Sequence, residues 1–136
     1  MHRGRCERLV GTVVAAVVLG VGFLHHGARA AEPKNGIPEA AAKEAQELFT
    51  TRCSVCHGAG GKGDGPGAAG LNPKPRNLTD PEWQKSVDDA YIEKIIQYGG
   101  MAVGKSAAMP NNPDLAAKPD VVKGIRAIVR GLTAHK

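Results

Sequence analysis

Aromatic residues are scarce in this chain, with 2 Phe, 1 Trp and 2 Tyr among 136 residues. No stretch alternates apolar and polar residues with period two, and the β-branched residues gather inside helix-spaced patterns, which argues against a sheet. A surplus of one charge is also lacking. The net charge of +5 owes much to Arg3, Arg5, Arg8 and Arg29, and from position 31 onward 14 basic residues face 12 acidic ones. So even a balance excludes the concentrated basic face of a nucleic-acid binder. Only three cysteines occur, Cys6, Cys53 and Cys56, and the length allows one domain rather than two.

The N-terminus reads as a secretory signal. A basic stretch from Met1 to Arg8 precedes an apolar run from Leu9 to Leu24, and Ala28-Arg29-Ala30 fits the small-x-small cleavage rule. The 16-residue run falls short of the roughly 20 residues that span a bilayer, so cleavage rather than a retained anchor is expected. Residues 1–30 are then the signal and 31–136 the mature domain, a periplasmic protein with no stable membrane insertion. Cleavage removes Cys6, His2, His25 and His26, and leaves Cys53, Cys56, His57 and His135.

Large apolar side chains are few in the mature segment, 23 in all, beside 13 Gly and 9 Pro. A domain of about 100 residues is already marginal in the surface it buries. A bridge between two cysteines three positions apart would close a very short loop and remove little chain entropy. A bound apolar cofactor is the better supplement to such a core.

Three helices are expected. Pro38 to Thr50 is rich in helix formers, places Ala41, Ala45, Leu48 and Phe49 along one side, and runs directly into Cys53. Ser86 to Tyr98 opens with Ser86 and Asp89 at capping-box spacing, presents Tyr91, Ile92, Ile95 and Ile96, and stops at Gly99-Gly100. Pro119 to about Thr133 places Val121, Val122, Ile125, Ile128, Val129 and Leu132 at helical spacing and is expected to pack on the first helix. Between them lie a loop with seven glycines from Gly58 to Gly70, followed by Asn72-Pro73-Lys74-Pro75, and an irregular segment from Met101 to Leu115.

The chemistry sits in Cys53-Ser54-Val55-Cys56-His57. C-x-x-C-H is the attachment signature of c-type haem: two thiols form thioethers to the vinyl groups of one porphyrin and the adjoining imidazole reaches the iron. A thioredoxin-like dithiol expects a βαβ setting and a cysteine at a helix N-terminus, whereas a helix precedes this pair and glycines follow it. A zinc site needs four ligands, and a plain disulfide leaves His57 unexplained. Gly58, Gly60 and Gly63 match a dinucleotide fingerprint, but no strand precedes them. They read instead as a loop passing close to the haem edge.

With these residues in view, Cys53 to Gly65, then Pro73 to Leu78, then Ala108-Met109-Pro110 ahead of an apolar helix, the chain resembles the small class I cytochromes c of bacteria over nearly all of the mature segment. The resemblance implies an all-α fold of three to five helices, with long loops wrapped around one covalently bound haem c. It also implies crossing terminal helices, and His and Met on opposite faces of the iron. The candidates opposite His57 are Met101, Met109 and His135. Pro110 behind Met109, and the family's methionine in a loop just ahead of the last helix, favour Met109. Met101 reads as a loop or core thioether and His135 as a tail residue.

A ligating imidazole donates its other N–H to a carbonyl or carboxylate. By resemblance the acceptor is a proline carbonyl, Pro75 first and Pro73 second. Trp83, Tyr91 and Arg76 are candidates to reach the haem propionates, against core packing for the aromatics and solvated surface for Arg76. With both axial positions filled the protein carries electrons and is not an enzyme. It docks transiently, as a monomer, with redox proteins, and Lys62, Lys74 and Lys105 supply mild steering. The competing readings are a ligand-binding or catalytic haem protein, for which the irregular segment offers Ser106, Asn111 and Asn112, and an electron-entry subunit of a larger oxidoreductase.

Overall fold

A computed structural model describes residues 36–134. The expected signal segment 1–30 and His135 lie outside the described residues. The order is α1 (Glu39–Leu48), a π-helical turn (Phe49–Cys53), α2 (Ser54–His57), α3 (Pro81–Ser86), α4 (Asp89–Tyr98) and α5 (Pro119–Gly131). Short 3₁₀ turns occur at Pro66–Ala68, Gly100–Val103, Pro113–Leu115 and Leu132–Ala134, and no strand is present among the described residues.

The three expected helices are found where periodicity places them. Ala45 and Phe49 of the first, Ile92 and Ile96 of the second, and Val121, Val122, Ile125 and Val129 of the third join Leu78 and Leu115 in one core, with Ala41, Leu48, Trp83 and Tyr91 packed against it. Trp83 and Tyr91 thus serve the core. α1 and α5 pack together as expected, and Gly124 permits the approach: a Cβ there would lie 2.6 Å from Cβ of Ala45, which is itself fully buried.

Two boundaries differ from expectation. The first helix does not end at Thr50 but continues through a π turn into α2, so the Cys53–His57 motif is itself helical. Ser86 does not open the second helix either. It closes α3 with its hydroxyl donating to the Trp83 carbonyl, and the N-cap of α4 is Asp88, whose carboxylate accepts the Tyr91 N–H at 2.7 Å. Asp at position 88 outcompetes Ser at 86 because it reaches the third amide of the helix that follows Val87, which is extended. Helix α3 was not expected, although Asp80-Pro81 carries its signature: the Asp80 side chain accepts from Glu82 and Trp83 amides, and Pro81 occupies the first turn.

Three elements are tied by buried polar contacts. Gln84, 9% exposed, donates its amide to the Leu78 and Val129 carbonyls, both at 2.8 Å, and accepts from Arg130 at 2.9 Å. Arg130 also donates to the Gln84 and Val87 carbonyls and to Asp89. One arginine on α5 thereby satisfies the end of α3 and the start of α4.

Candidate haem site

The motif helix is held by hydroxyls. A π turn leaves carbonyls displaced from the regular ladder. Here Thr50 Oγ1 donates to the Gln46 carbonyl at 2.9 Å, Thr51 Oγ1 to Glu47 at 2.8 Å and Ser54 Oγ to Thr50 at 2.5 Å. Each hydroxyl bonds the carbonyl four residues back, the pattern that lets Ser and Thr support a distorted turn. The wide turn carries Cys53 onto the edge of the core.

Cys53 and Cys56 are both free thiols and both half-buried, with Val55 between them 44% exposed. Burial pushes the Cys53 thiol up, opposed by the neighbouring Arg52 charge and reinforced by Cys56. His57 follows on the same helical turn, and its Nδ1 donates to the Arg76 carbonyl at 3.0 Å. A carbonyl only accepts, so the proton sits on Nδ1 and the Nε2 lone pair is left to bind a metal. Burial lowers the imidazole pKa and so favours the neutral ligand form, an effect partly offset by the hydrogen bond to Arg76, which raises it.

The acceptor expected from the resemblance is thereby corrected. It is neither Pro75 nor Pro73 but the next residue, Arg76. Along this non-helical segment neighbouring carbonyls face different ways: that of Pro75 is turned to Gly63, where any side chain would overlap it, while that of Arg76 faces the ring. Leu78 N–H on the Gly61 carbonyl and Gly63 N–H on the His57 carbonyl (2.7 Å) fix this register.

The glycine-rich loop folds back on the motif. Gly58, Gly63 and Gly65 donate to the carbonyls of Ser54, His57 and Cys56 at 2.8, 2.7 and 3.1 Å, satisfying the acceptors a helix C-terminus leaves open. At Gly65 a Cβ would overlap the Ser54 and Val55 carbonyl oxygens, and at Gly67 it would lie 3.0 Å from Val55 and 3.4 Å from Cys56 Sγ. Only a bare backbone fits this close. Lys62, Lys74 and Lys105, the expected steering charges, are all exposed, and Lys74 also donates to the Ala68 and Ala69 carbonyls at 3.0 and 2.6 Å.

Met109 lies in the segment between α4 and α5. The Gly100 N–H donates to its carbonyl at 3.0 Å and its own N–H donates to Ser106 at 3.3 Å. Met109 is half-buried, whereas Met101 is 70% exposed. Asn112 pins the segment to α4, donating Nδ2 to the Ile96 carbonyl at 2.7 Å and its N–H to Gln97 at 2.9 Å.

These residues fit haem c. Two uncommitted thiols three positions apart flank an exposed valine on one helical run, beside an imidazole whose tautomer presents a single free nitrogen. A multi-ligand metal site does not fit, because among the described residues no three His, Cys, Asp or Glu side chains converge. Fold and site together define an all-α electron-transfer protein with covalently bound haem.

The family model for cytochrome c matches residues 42–124, from the first turn of α1 to the middle of α5. The chain belongs to the cytochrome c family, and its cofactor is haem c, attached where Cys53 and Cys56 form the C-x-x-C-H motif. A search of curated proteins finds no match. No helix among the described residues is long and apolar enough to cross a membrane.

Three contributors escaped the sequence reading. The Arg76 carbonyl carried no signal beyond lying near Pro75. Asn112 stood only among candidate polar groups near iron. Arg52 was unmarked, although it adjoins Cys53.

Proposed function

We propose that the protein is an exported, monomeric one-electron shuttle, in which His57 and Met109 take the two axial positions of the haem held by Cys53 and Cys56. When bound, haem supplies an iron centre that takes up and gives back a single electron. The observation that carries the reading is the His57–Arg76 hydrogen bond, which orients the ring and leaves Nε2 as its free donor. Met109 is the better second ligand because its backbone is held at both its N–H and its carbonyl, whereas Met101 stands 70% exposed on a 3₁₀ turn.

An open, catalytic iron site needs polar groups facing a bound ligand. Two of the three available side chains are committed elsewhere: Ser106 Oγ accepts the Ala108 N–H, and the Asn112 amide is shared between Ile96 and Arg52. Export to the periplasm rests on the N-terminal signature of residues 1–30. The partners are redox proteins, approached through weak electrostatic steering to which exposed Lys62 and Lys105 contribute.

The test is the visible spectrum of the exported protein, oxidised and reduced, with and without CO. The expected result is a low-spin spectrum with the weak long-wavelength Met-to-iron band, no CO response, and loss of that band in Met109→Ala but not Met101→Ala. A high-spin ferric form, or prompt CO binding, would establish an open site. The mass of the secreted protein, equal to residues 31–136 plus one haem, tests export and cleavage.

A further inference from the structure

Arg52 stands directly before Cys53, yet its guanidinium crosses to the segment that follows Met109. Its Nη1 lies 2.9 and 3.0 Å from the two carboxylate oxygens of Asp114 and 3.4 Å from Asn112 Oδ1. Asp114 begins no helix of its own length; it sits in the Pro113–Leu115 turn, whose Leu115 is 1% exposed and seated in the core. Asn112 is already fastened to the end of α4. The segment carrying Met109 therefore has one root held by α4 and the core, and Arg52 ties that root to the motif helix itself.

We propose that Arg52 is a positioning residue, whose contacts with Asn112 and Asp114 set how long Met109 remains at the site. The inference rests on Met109 being the second axial ligand. Irregular segments open locally at low cost, and displacement of a loop-borne ligand requires such an opening. An opening that frees the root at Asn112 and Asp114 must break the Arg52 contacts, which span the motif helix and that root, while contacts within the loop travel with it. Both side chains are nearly half exposed, 46% and 43%, so the effect is modest: an exposed pair of this kind supplies a factor of about three to five.

The test uses the haem-loaded ferric protein. The rate at which added imidazole displaces methionine is followed by loss of the long-wavelength Met-to-iron band, in wild type, R52Q, D114N, the double variant and an E82Q control on α3. The expected result is about three- to fivefold faster exchange in R52Q and in D114N, no further gain in the double variant, and no change in E82Q. The reduction potential separates positioning from charge. Removing a positive charge lowers it and removing a negative charge raises it, so the potentials move in opposite directions while the exchange rates move together. Exchange at the wild-type rate in D114N with the band intact overturns the proposal, as do opposite rate changes in the two variants. If R52Q fails to accumulate with haem, D114N alone decides. A wild type without the band overturns the ligation reading and this inference with it, whereas an intact band with unchanged exchange overturns only the role of Arg52.

Discussion

Gly124→Ala is the substitution whose outcome most directly tests the packing of the terminal helices. In the interior of an exposed helix, Gly to Ala stabilises by about 1 kcal/mol through backbone entropy and helix propensity. At 124 the new methyl would meet Ala45 Cβ at 2.6 Å, with the Ala41 carbonyl oxygen at 3.5 Å and Ala42 Cα at 3.8 Å. Apolar carbons normally sit about 3.5–4.0 Å apart, so α1 and α5 must separate by roughly 1 Å or tilt. Val121, Val122, Ile125 and Phe49 share that interface and would be disturbed with them. Overpacking costs about 1–3 kcal/mol, which exceeds the propensity gain and leaves a net loss of about 1 kcal/mol. The pair A45G/G124A provides the control, since it moves the methyl from one helix to the other and removes the overlap. It is expected to be at least as stable as A45G alone, a coupling of about 1–3 kcal/mol. Urea unfolding of the haem-loaded protein, followed by far-UV circular dichroism, measures all four forms. Stabilisation of the wild-type background by G124A alone would refute the close approach as the reason for glycine.

Gln84→Leu keeps the volume of a buried side chain but removes the donor to the Leu78 and Val129 carbonyls and the acceptor for Arg130; a loss of about 1–3 kcal/mol is expected in the same unfolding assay. The Arg130 hydrogen bond, aided by the charges of Arg126 and Arg130, holds the Asp89 carboxyl below its ordinary value. Its stabilising contribution is therefore present above about pH 4 and is lost as pH falls through the folded pKa. D89N should flatten the acid limb of stability against pH, by less than about 1 kcal/mol because the side chain is half exposed. An unchanged acid limb would remove Asp89 from the account. Gly65→Ala would drive a methyl into the Ser54 and Val55 carbonyls, so a haem-to-protein ratio well below that of wild type is expected after export, with Gly70→Ala, whose Cβ meets nothing within 4 Å, as the neutral comparison.

What the sequence by itself determined is everything whose physical cause lies within a few residues. C-x-x-C-H specifies the cofactor because thiols and imidazole must be neighbours in the chain to meet one porphyrin. Helical spacing of Ile92 and Ile96, or of Val121, Val122, Ile125 and Val129, specifies the core faces, and all of them are buried. Gly99 ends α4 as its punctuation implies, donating to the Ile95 carbonyl at 2.9 Å. Even the overlooked α3 had its start written in Asp80-Pro81, and the mistaken cap at Ser86 arose because two caps lie close together and spacing alone does not rank them.

Only the tertiary structure decided which polar groups meet across long stretches of chain. His57 chooses Arg76 over Pro75 because a loop register, set by Gly61 and Gly63 pairing with Leu78 and His57, turns one carbonyl toward the ring and its neighbour away. Arg52 finds Asp114 sixty-two residues on, and Gln84 finds Val129 forty-five residues on. Lys74 caps two carbonyls of its own loop rather than facing solvent alone. Hydrophobic periodicity repeats and can be read along the chain, but a single hydrogen bond depends on the path the backbone takes between its partners, and that path exists only once the core has closed.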